Sequence, residues 1–295
     1  GGVYTKDLKG SLNLLLCKHF PLDPKGAEGE MEQVVDDNNS SEVEEIVTPE
    51  LVMKAVGKLK PFKAAGRDEI FPMMLRKVNL AISGVLVKLM RACLRKGYTP
   101  LRWREMKVVF LPKPGKESYE KVNAWRPISL TSFLLKTLER LIDWYLRTPD
   151  LIQRLRGNNQ FAYIKGVSTE AALHQLVARA EGALKSSEYA IGIFLDIKGA
   201  FSESTFRSLE KGMKRFDISP TCARFISHML RNRVVFTSTH EIKRTVERGC
   251  PQGGVLSPLL WNLMVDEVLE KLRNSLPQVY SSGYADDLAT LIRGP

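Results

Sequence analysis

The sequence predicts an α+β fold, and three observations carry that prediction. Stretches with apolar residues at helical spacing are interleaved with short strands and hairpins, which is not the regular βαβ rhythm of a doubly wound sheet. The clearest hairpin is Gln278–Gly283 followed by Leu288–Ile292, with the adjacent carboxylates Asp286 and Asp287 at or near its turn. A length of 295 residues, 44% hydrophobic and 26% charged, gives ample core for one large domain or two intimate ones. No internal repeat is present.

Taken in order, residues 1–20 hold a short amphipathic helix around Leu12–Leu16. Residues 21 to about 47 are acidic and rich in Gly, Asn and Ser and read as a flexible linker, so 1–47 is set apart as an N-terminal extension. Order is expected to begin at Thr48, an N-cap ahead of Pro49 and the apolar stripe Leu51, Val52, Ala55, Val56 and Leu59. The stretch 61–68 is a turn. A long helix follows over Pro72–Lys96, closed by Gly97. Met106–Leu111 is a strand that runs into Pro112-Lys113-Pro114-Gly115-Lys116, which can continue neither helix nor strand. Beyond Trp125–Leu130 an amphipathic helix reaches about Arg147 and stops at Thr148-Pro149-Asp150. Gln160–Ser168 reads as a loop or edge strand before a helix over Thr169–Lys185.

The run Ile191–Ile197, ending in Asp196, reads as a strand buried on both faces. A helix begins near Glu203, another is capped by Ser219-Pro220 and ends near Arg231, and Val234–Thr239 with Ile242–Glu247 form a hairpin. Gly249–Gly254 is a glycine-rich turn. It leads into a helix from Pro258 to about Leu272 whose inner face offers Leu259, Leu263, Val265 and Leu269.

Charge narrows the partners. The formal net charge is +11, and the first fifty residues hold four basic against eleven acidic side chains. The remaining 40 basic and 22 acidic residues leave that body near +18, which suggests a polyanionic partner. No apolar run reaches the ~20 residues of a membrane span and no signal-peptide pattern opens the chain. The four cysteines are scattered, which argues against zinc and against a disulfide framework.

Two side-by-side carboxylates near an apolar sheet repel one another unless cations compensate. With Asp196 as a third, Asp286 and Asp287 are the donor set that a pair of Mg²⁺ ions ~3.5–4 Å apart needs for phosphoryl transfer. Hard oxygen ligands favour Mg²⁺ or Mn²⁺ over zinc.

The order of a basic loop, a strand-borne acid, a Pro-Gln-Gly-Gly turn and a YADD hairpin resembles reverse transcriptases of the non-LTR (LINE-type) retrotransposon family, the arthropod kinds in particular. The resemblance rests on FLDIKGAF (Phe194–Phe201), RGCPQGGVLSPLLWNLMVDEVL (Arg248–Leu269) and GYADDL (Gly283–Leu288). WRPISLTSFLLKTLERLI (Trp125–Ile142), QFAYIKGVSTEAALHQL (Gln160–Leu176) and, more weakly, AAGRDEIFPMML (Ala64–Leu75) extend it, so that it covers about residue 48 to the end.

It implies a right-hand polymerase fold, mainly fingers over 48–185 and mainly palm over 186–295, with the palm hairpin backed by helices and the thumb and upstream endonuclease missing. It implies catalytic and metal-holding roles for Asp196, Asp286 and Asp287 and an ion contact by the Ile197 carbonyl. Lys113 and Arg126 would clamp the triphosphate, where a guanidinium fork suits phosphate. Phe201 would exclude a 2′-hydroxyl, Gln252 would lie on the nucleotide, and Gly253, Gly254 and Tyr284 would meet template or primer. An RNA template, a DNA primer or target, dNTPs and a nuclear site of action are implied likewise. Ser202, Ile164 and Val167 depart from the pattern, the last two by losing positive charge that would grip template. Two alternatives stay open: a nucleic-acid-binding retrotransposon remnant without catalysis, and an intron-encoded reverse transcriptase fragment.

Overall fold

Side-chain caps set several of the helix starts. The hydroxyls of Thr48, Thr148, Ser168 and Ser219 accept from the amides of Leu51 (3.2 Å), Leu151 (3.2 Å), Ala171 (3.3 Å) and Cys222 (3.3 Å), satisfying donors that a first helical turn leaves open. A computed structural model of the chain describes residues 5, 7–23, 40–239 and 241–295; most of the expected linker, residues 24–39, lies outside them. The elements in order are α1 (Leu8–His19), α2 (Ser40–Ile46), α3 (Pro49–Gly57), α4 (Pro72–Lys96), α5 (Leu101–Arg104), β1 (Glu105–Pro112), a 3-10 turn (Val122–Ala124), β2 (Trp125–Leu130), α6 (Phe133–Leu146), α7 (Pro149–Gly157), α8 (Thr169–Lys185), β3 (Tyr189–Asp196), α9 (Ala200–Glu203), α10 (Phe206–Arg215), α11 (Pro220–Arg231), β4 (Val234–Phe236), β5 (Lys243–Thr245), α12 (Ser257–Ser275), β6 (Tyr280–Tyr284) and β7 (Asp287–Gly294). The class is α+β, as expected.

The chain divides into two compact units. The first comprises Gly1–Tyr145, Phe201–Phe206 and Ile218–Ser257. Its sheet has the order β2-β1-β4-β5, with β1 antiparallel to β2 and parallel to β4. Leu16 of α1 joins Met106, Val108, Val235 and Val246 in a core cluster, with Phe20, Phe110 and Ile242 against it. Burying each such side chain contributes roughly 1.5–3 kcal/mol, which fixes α1 on the sheet. Helix α2 corrects the reading of 40–46 as linker: Val43 and Ile46 are buried, and two apolar residues three apart are too short a pattern to stand out among acids.

The second unit comprises Leu146–Ala200, Arg207–Asp217 and Pro258–Pro295, with sheet order β3-β7-β6 and helices α7, α8, α10 and α12. Leu259, Leu263, Val265 and Leu269 of α12 are buried, as their spacing predicts. Two expectations are corrected here. Thr148-Pro149 does end α6, but it also caps α7. Strand β3 is not buried on both faces: among the described residues it pairs only with β7, and Tyr189, Ile191 and Phe194 are 75%, 60% and 70% exposed. An unbroken apolar run reads alike for a covered central strand and an edge strand, because sheet order is not local information. Among the described residues no helix is long and apolar enough to cross a membrane.

Candidate active site

The hairpin of the second unit turns in two residues. Tyr284 and Asp287 are cross-strand partners of β6 and β7, leaving Ala285 and Asp286 at the tip. Ala285 has φ +56°, a left-handed conformation that normally falls to Gly, Asn or Asp. Its carbonyl accepts from the Trp261 indole N–H of α12 at 2.8 Å, which anchors the tip to a fully buried side chain. On the other edge β3 pairs with β7 so that Asp196 stands opposite Asp287, and the amide of Ile197 donates to the Asp286 carbonyl at 2.9 Å. Thus Asp196, Ile197, Tyr284, Asp286 and Asp287, ninety residues apart in sequence, meet at one end of one sheet.

All three aspartates are exposed. Among the described residues no three His, Cys, Asp or Glu side chains converge closely enough to hold an ion as they stand. What the fold brings together is the strand ends that carry these carboxylates, like charges that repel until a cation lies between them. The donor set is carboxylate oxygen throughout, which fits Mg²⁺ or Mn²⁺. Beside it is a cavity of about 330 Å³, walled by Leu173 and Leu176 of α8, Phe194–Asp196, Ser282–Tyr284 and Asp287–Ala289.

A buried polar network steadies this end of the sheet. The amide of Phe161 donates to Gly283 and that of Gly283 to Asn159, both at 3.0 Å, so Gln160 forms a parallel bridge beyond β6, an edge-strand contact of the kind anticipated. The Gln160 side chain donates to the Asn262 carbonyl (2.9 Å) and to Asp266 (3.1 Å), and Asn158 donates to Asp266 (2.9 Å). Asn262 in turn donates to the Ala162 carbonyl (3.0 Å). Burial pushes the Asp266 carboxyl up, against the opposing pull of Asn158 and of Arg215, to which it is paired. The stretch so held leads to Tyr163, whose hydroxyl is pushed up by burial and then by the negative charge of Asp286 and by Tyr284.

The other residues singled out from sequence belong to the first unit. Lys113 donates its amide to Ala124 at 2.8 Å, just past the register that sets Leu111 opposite Arg126, so both cations ride the same end of the β1–β2 pair. Pro127, Ser129, Ser202 and Gln252 line one small cavity of about 30 Å³, which brings the Arg126 strand, the segment after Phe201 and the glycine-rich turn to one place. Gln252 and Gly253 form the exposed tip of that turn. Gly253 has open space where a side chain would stand, its nearest neighbour being the Ser129 carbonyl at 3.9 Å, whereas Gly254 is closely surrounded.

Sequence reasoning did not single out Tyr163, Trp261, Asp266, Glu139 or Arg233. None of them carried a signal of its own: Tyr163 is told from Phe161 only by its exposure, and the others are legible only once their partners are known.

This chain belongs to the reverse transcriptase (RNA-dependent DNA polymerase) family, whose model matches residues 111–295. Within that family it is similar to the polymerases of arthropod non-LTR retrotransposons, as its motifs led one to expect. It is 32% identical over 84% of its length to an RNA-directed DNA polymerase from mobile element jockey of Drosophila funebris, covering 27% of that protein. It is 32% identical over 81% of its length to a putative 115 kDa protein in type-1 retrotransposable element R1DM of Drosophila melanogaster, covering 23%. A Pol polyprotein from type-1 retrotransposable element R1 of Bradysia coprophila matches at 28% over 91%, covering 26%. The chain therefore spans about a quarter of the length of the curated relatives it matches.

Proposed function

We propose that this chain carries the polymerising centre of a non-LTR retrotransposon reverse transcriptase, extending a primer 3′-hydroxyl with dNTPs on an RNA template in the nucleus. The observation that supports the reading is the pairing of Asp196 with Asp287 beside the two-residue turn that carries Asp286. Asp196, Asp286 and Asp287, with the Ile197 carbonyl, would hold two divalent ions, which would supply Lewis-acid stabilisation of the charge that develops on the reacting phosphate. Arg126 and Lys113 bind the triphosphate and offset the charge of the departing pyrophosphate. Phe201 occupies the space of a ribose 2′-hydroxyl, so deoxynucleotides are preferred. Gln252 lies against the nucleotide, Gly253 against nucleotide and template, and Gly254 and Tyr284 belong to the template and primer path. The surplus of basic residues follows the nucleic-acid backbone. Fingers and palm are the names this reading gives to the chain before and after about residue 185.

Incorporation of dNTPs on a primed RNA template, with Mg²⁺ or Mn²⁺, tests it directly. Asp286→Ala is expected to lower kcat/KM at least about 10³-fold, roughly 4 kcal/mol of transition-state stabilisation, with binding of the primed template unchanged. Binding without incorporation by the wild-type chain would leave a nucleic-acid-binding protein in place of an enzyme.

A further inference from the structure

The glycine-rich turn of the first unit is gripped at both ends by buried charge. At its start, Arg233 is 3% exposed and donates to the Gly249 carbonyl and, at 2.9 Å, to that of Leu230. Gly249 also donates its amide to Ser204 and Cys250 donates to Phe201, each at 2.7 Å. A Cβ on Gly249, whose φ is +83°, would stand 2.7 Å from the Phe201 carbonyl, so no other residue fits there. At its end, Glu139 of α6 is 1% exposed, and its Oε1 accepts from the Leu256 amide at 3.4 Å with the Val255 backbone also bonded to the carboxylate. Its Oε2 has no hydrogen-bond partner among the described residues. Gly254 opens the approach: a Cβ there would meet Glu139 Oε1 at 3.2 Å, Pro251 Cγ at 2.9 Å and Ser257 Oγ at 2.7 Å.

An unpartnered buried carboxylate oxygen is costly even with the charges of Arg233 and Lys136 within reach, and Leu or Met would fill a core position more cheaply. What a carboxylate offers that they do not is an acceptor for the amides of a turn that has no helix or sheet partner of its own. We propose that Glu139 is the positioning residue of the Gln252–Gly254 turn: its carboxylate, bonded to residues 255 and 256, sets the pose in which the exposed Gln252–Gly253 tip meets an incoming nucleotide. The assignment rests on the reading of that tip as nucleotide-binding. Glu139 itself touches no reacting atom.

The test has two arms, so that failure of the inference and failure of that reading are distinguishable. In the first, hydrogen exchange is followed at the amides of residues 254–257, a readout that needs no activity. Glu139→Ala is expected to speed exchange there at least tenfold while amides of β1 and β2 keep their protection, and Glu139→Gln, which keeps the acceptor, is expected to restore the wild-type rates. Should Glu139→Ala fail to fold, Gly254→Ala perturbs the same junction from the other side and is expected to give the same local loss of protection. In the second arm, steady-state dNTP incorporation is compared. Glu139→Ala is expected to raise the dNTP KM five- to tenfold with kcat within twofold, and Glu139→Gln to stay within twofold on both. Unchanged exchange at 254–257 in a folded Glu139→Ala or Gly254→Ala, or equal losses in the Gln and Ala variants, overturns the inference. Faster exchange with unaltered KM overturns the nucleotide-binding part of it.

Discussion

Negative charge is handled in opposite ways in two regions of this molecule. At the tip of the β6–β7 hairpin and the adjoining end of β3, Asp196, Asp286 and Asp287 stand in water, crowded by register alone. In the interior, Asp266 and Glu139 are 0% and 1% exposed and are bonded to loops rather than to each other. The exposed acids cost the fold little and remain free to take up a cation. The buried ones carry a desolvation penalty and are retained where loop amides need an acceptor, the Asn158 and Gln160 side chains at Asp266 and the Leu256 backbone at Glu139. On the proposed reading, the contrast separates acids that would hold ions from acids that hold loops in place.

The largest effect that would sharpen this comparison is on the exposed side. Asp286→Ala is expected to lose the thousandfold or more in incorporation already stated while changing unfolding free energy by less than about 0.5 kcal/mol, because an exposed side chain with no buried partner contributes little to stability. A melt lowered by many degrees would place Asp286 in the structural class instead.

The converse holds for Asp266. Its removal leaves the Asn158 and Gln160 side-chain amides without their acceptor and loosens Arg215, which retains Glu270 at 2.6 Å. Asp266→Ala should destabilise the chain by roughly 3 kcal/mol in urea unfolding. Activity per folded molecule should also fall, since the 158–163 stretch would no longer be pinned beside Gly283. A loss under about 1 kcal/mol would contradict the network.

Glu139 gives an effect of up to the same size, with a pH signature. Burial pushes its carboxyl up from 4.5 to about 7, opposed by its bonds to Leu256 and Val255 and by Lys136, and reinforced by Asp143. The folded chain therefore keeps a proton that the unfolded chain has released. The resulting stability is complete below about pH 4.5 and is lost as the pH rises through about 7. Relative to Glu139→Gln, the wild type should weaken between pH 5 and pH 8, by up to about 3 kcal/mol. Parallel urea midpoints for the two proteins across that range would remove Glu139 from the buried class.

Phe201→Ala tests a boundary of the comparison, since that residue is half-buried and holds the turn through its carbonyl, which the substitution keeps, and not through its side chain. Discrimination against ribonucleotides should drop at least tenfold with dNTP incorporation retained. Smallest is Ala285→Gly: relief of the left-handed φ of +56° is offset by the entropy of glycine, and unfolding free energy should move by less than about 1 kcal/mol.

Much of this was legible in the sequence, for local reasons. The Thr48-Pro49 and Ser219-Pro220 caps and the Gly97 stop mark their helix ends because capping is decided within four residues. The acids of the hairpin could be found because a turn flanked by two short extended runs is a local pattern. Thr148-Pro149 carried the same cap signal as Thr48-Pro49, yet its position after one helix made it read only as a stop. The exposure of β3, the staple around Gln160 and the buried acceptors Glu139 and Asp266 depend on contacts about a hundred residues apart, such as Gln160 with Asn262 and Glu139 with Leu256. A glutamate at helical spacing amid leucines looks the same whether it faces solvent or an orphan amide.

The claim beneath all of this is that the three exposed aspartates share divalent cations. Mn²⁺ binding to the chain with primed RNA template and a non-incorporable dNTP analogue, followed by electron paramagnetic resonance, measures it most directly. Saturable uptake that is abolished by Asp196→Asn and by Asp286→Asn alike, with nucleic-acid binding intact, is the expected result. Equal Mn²⁺ uptake in the wild type and both variants would contradict the account.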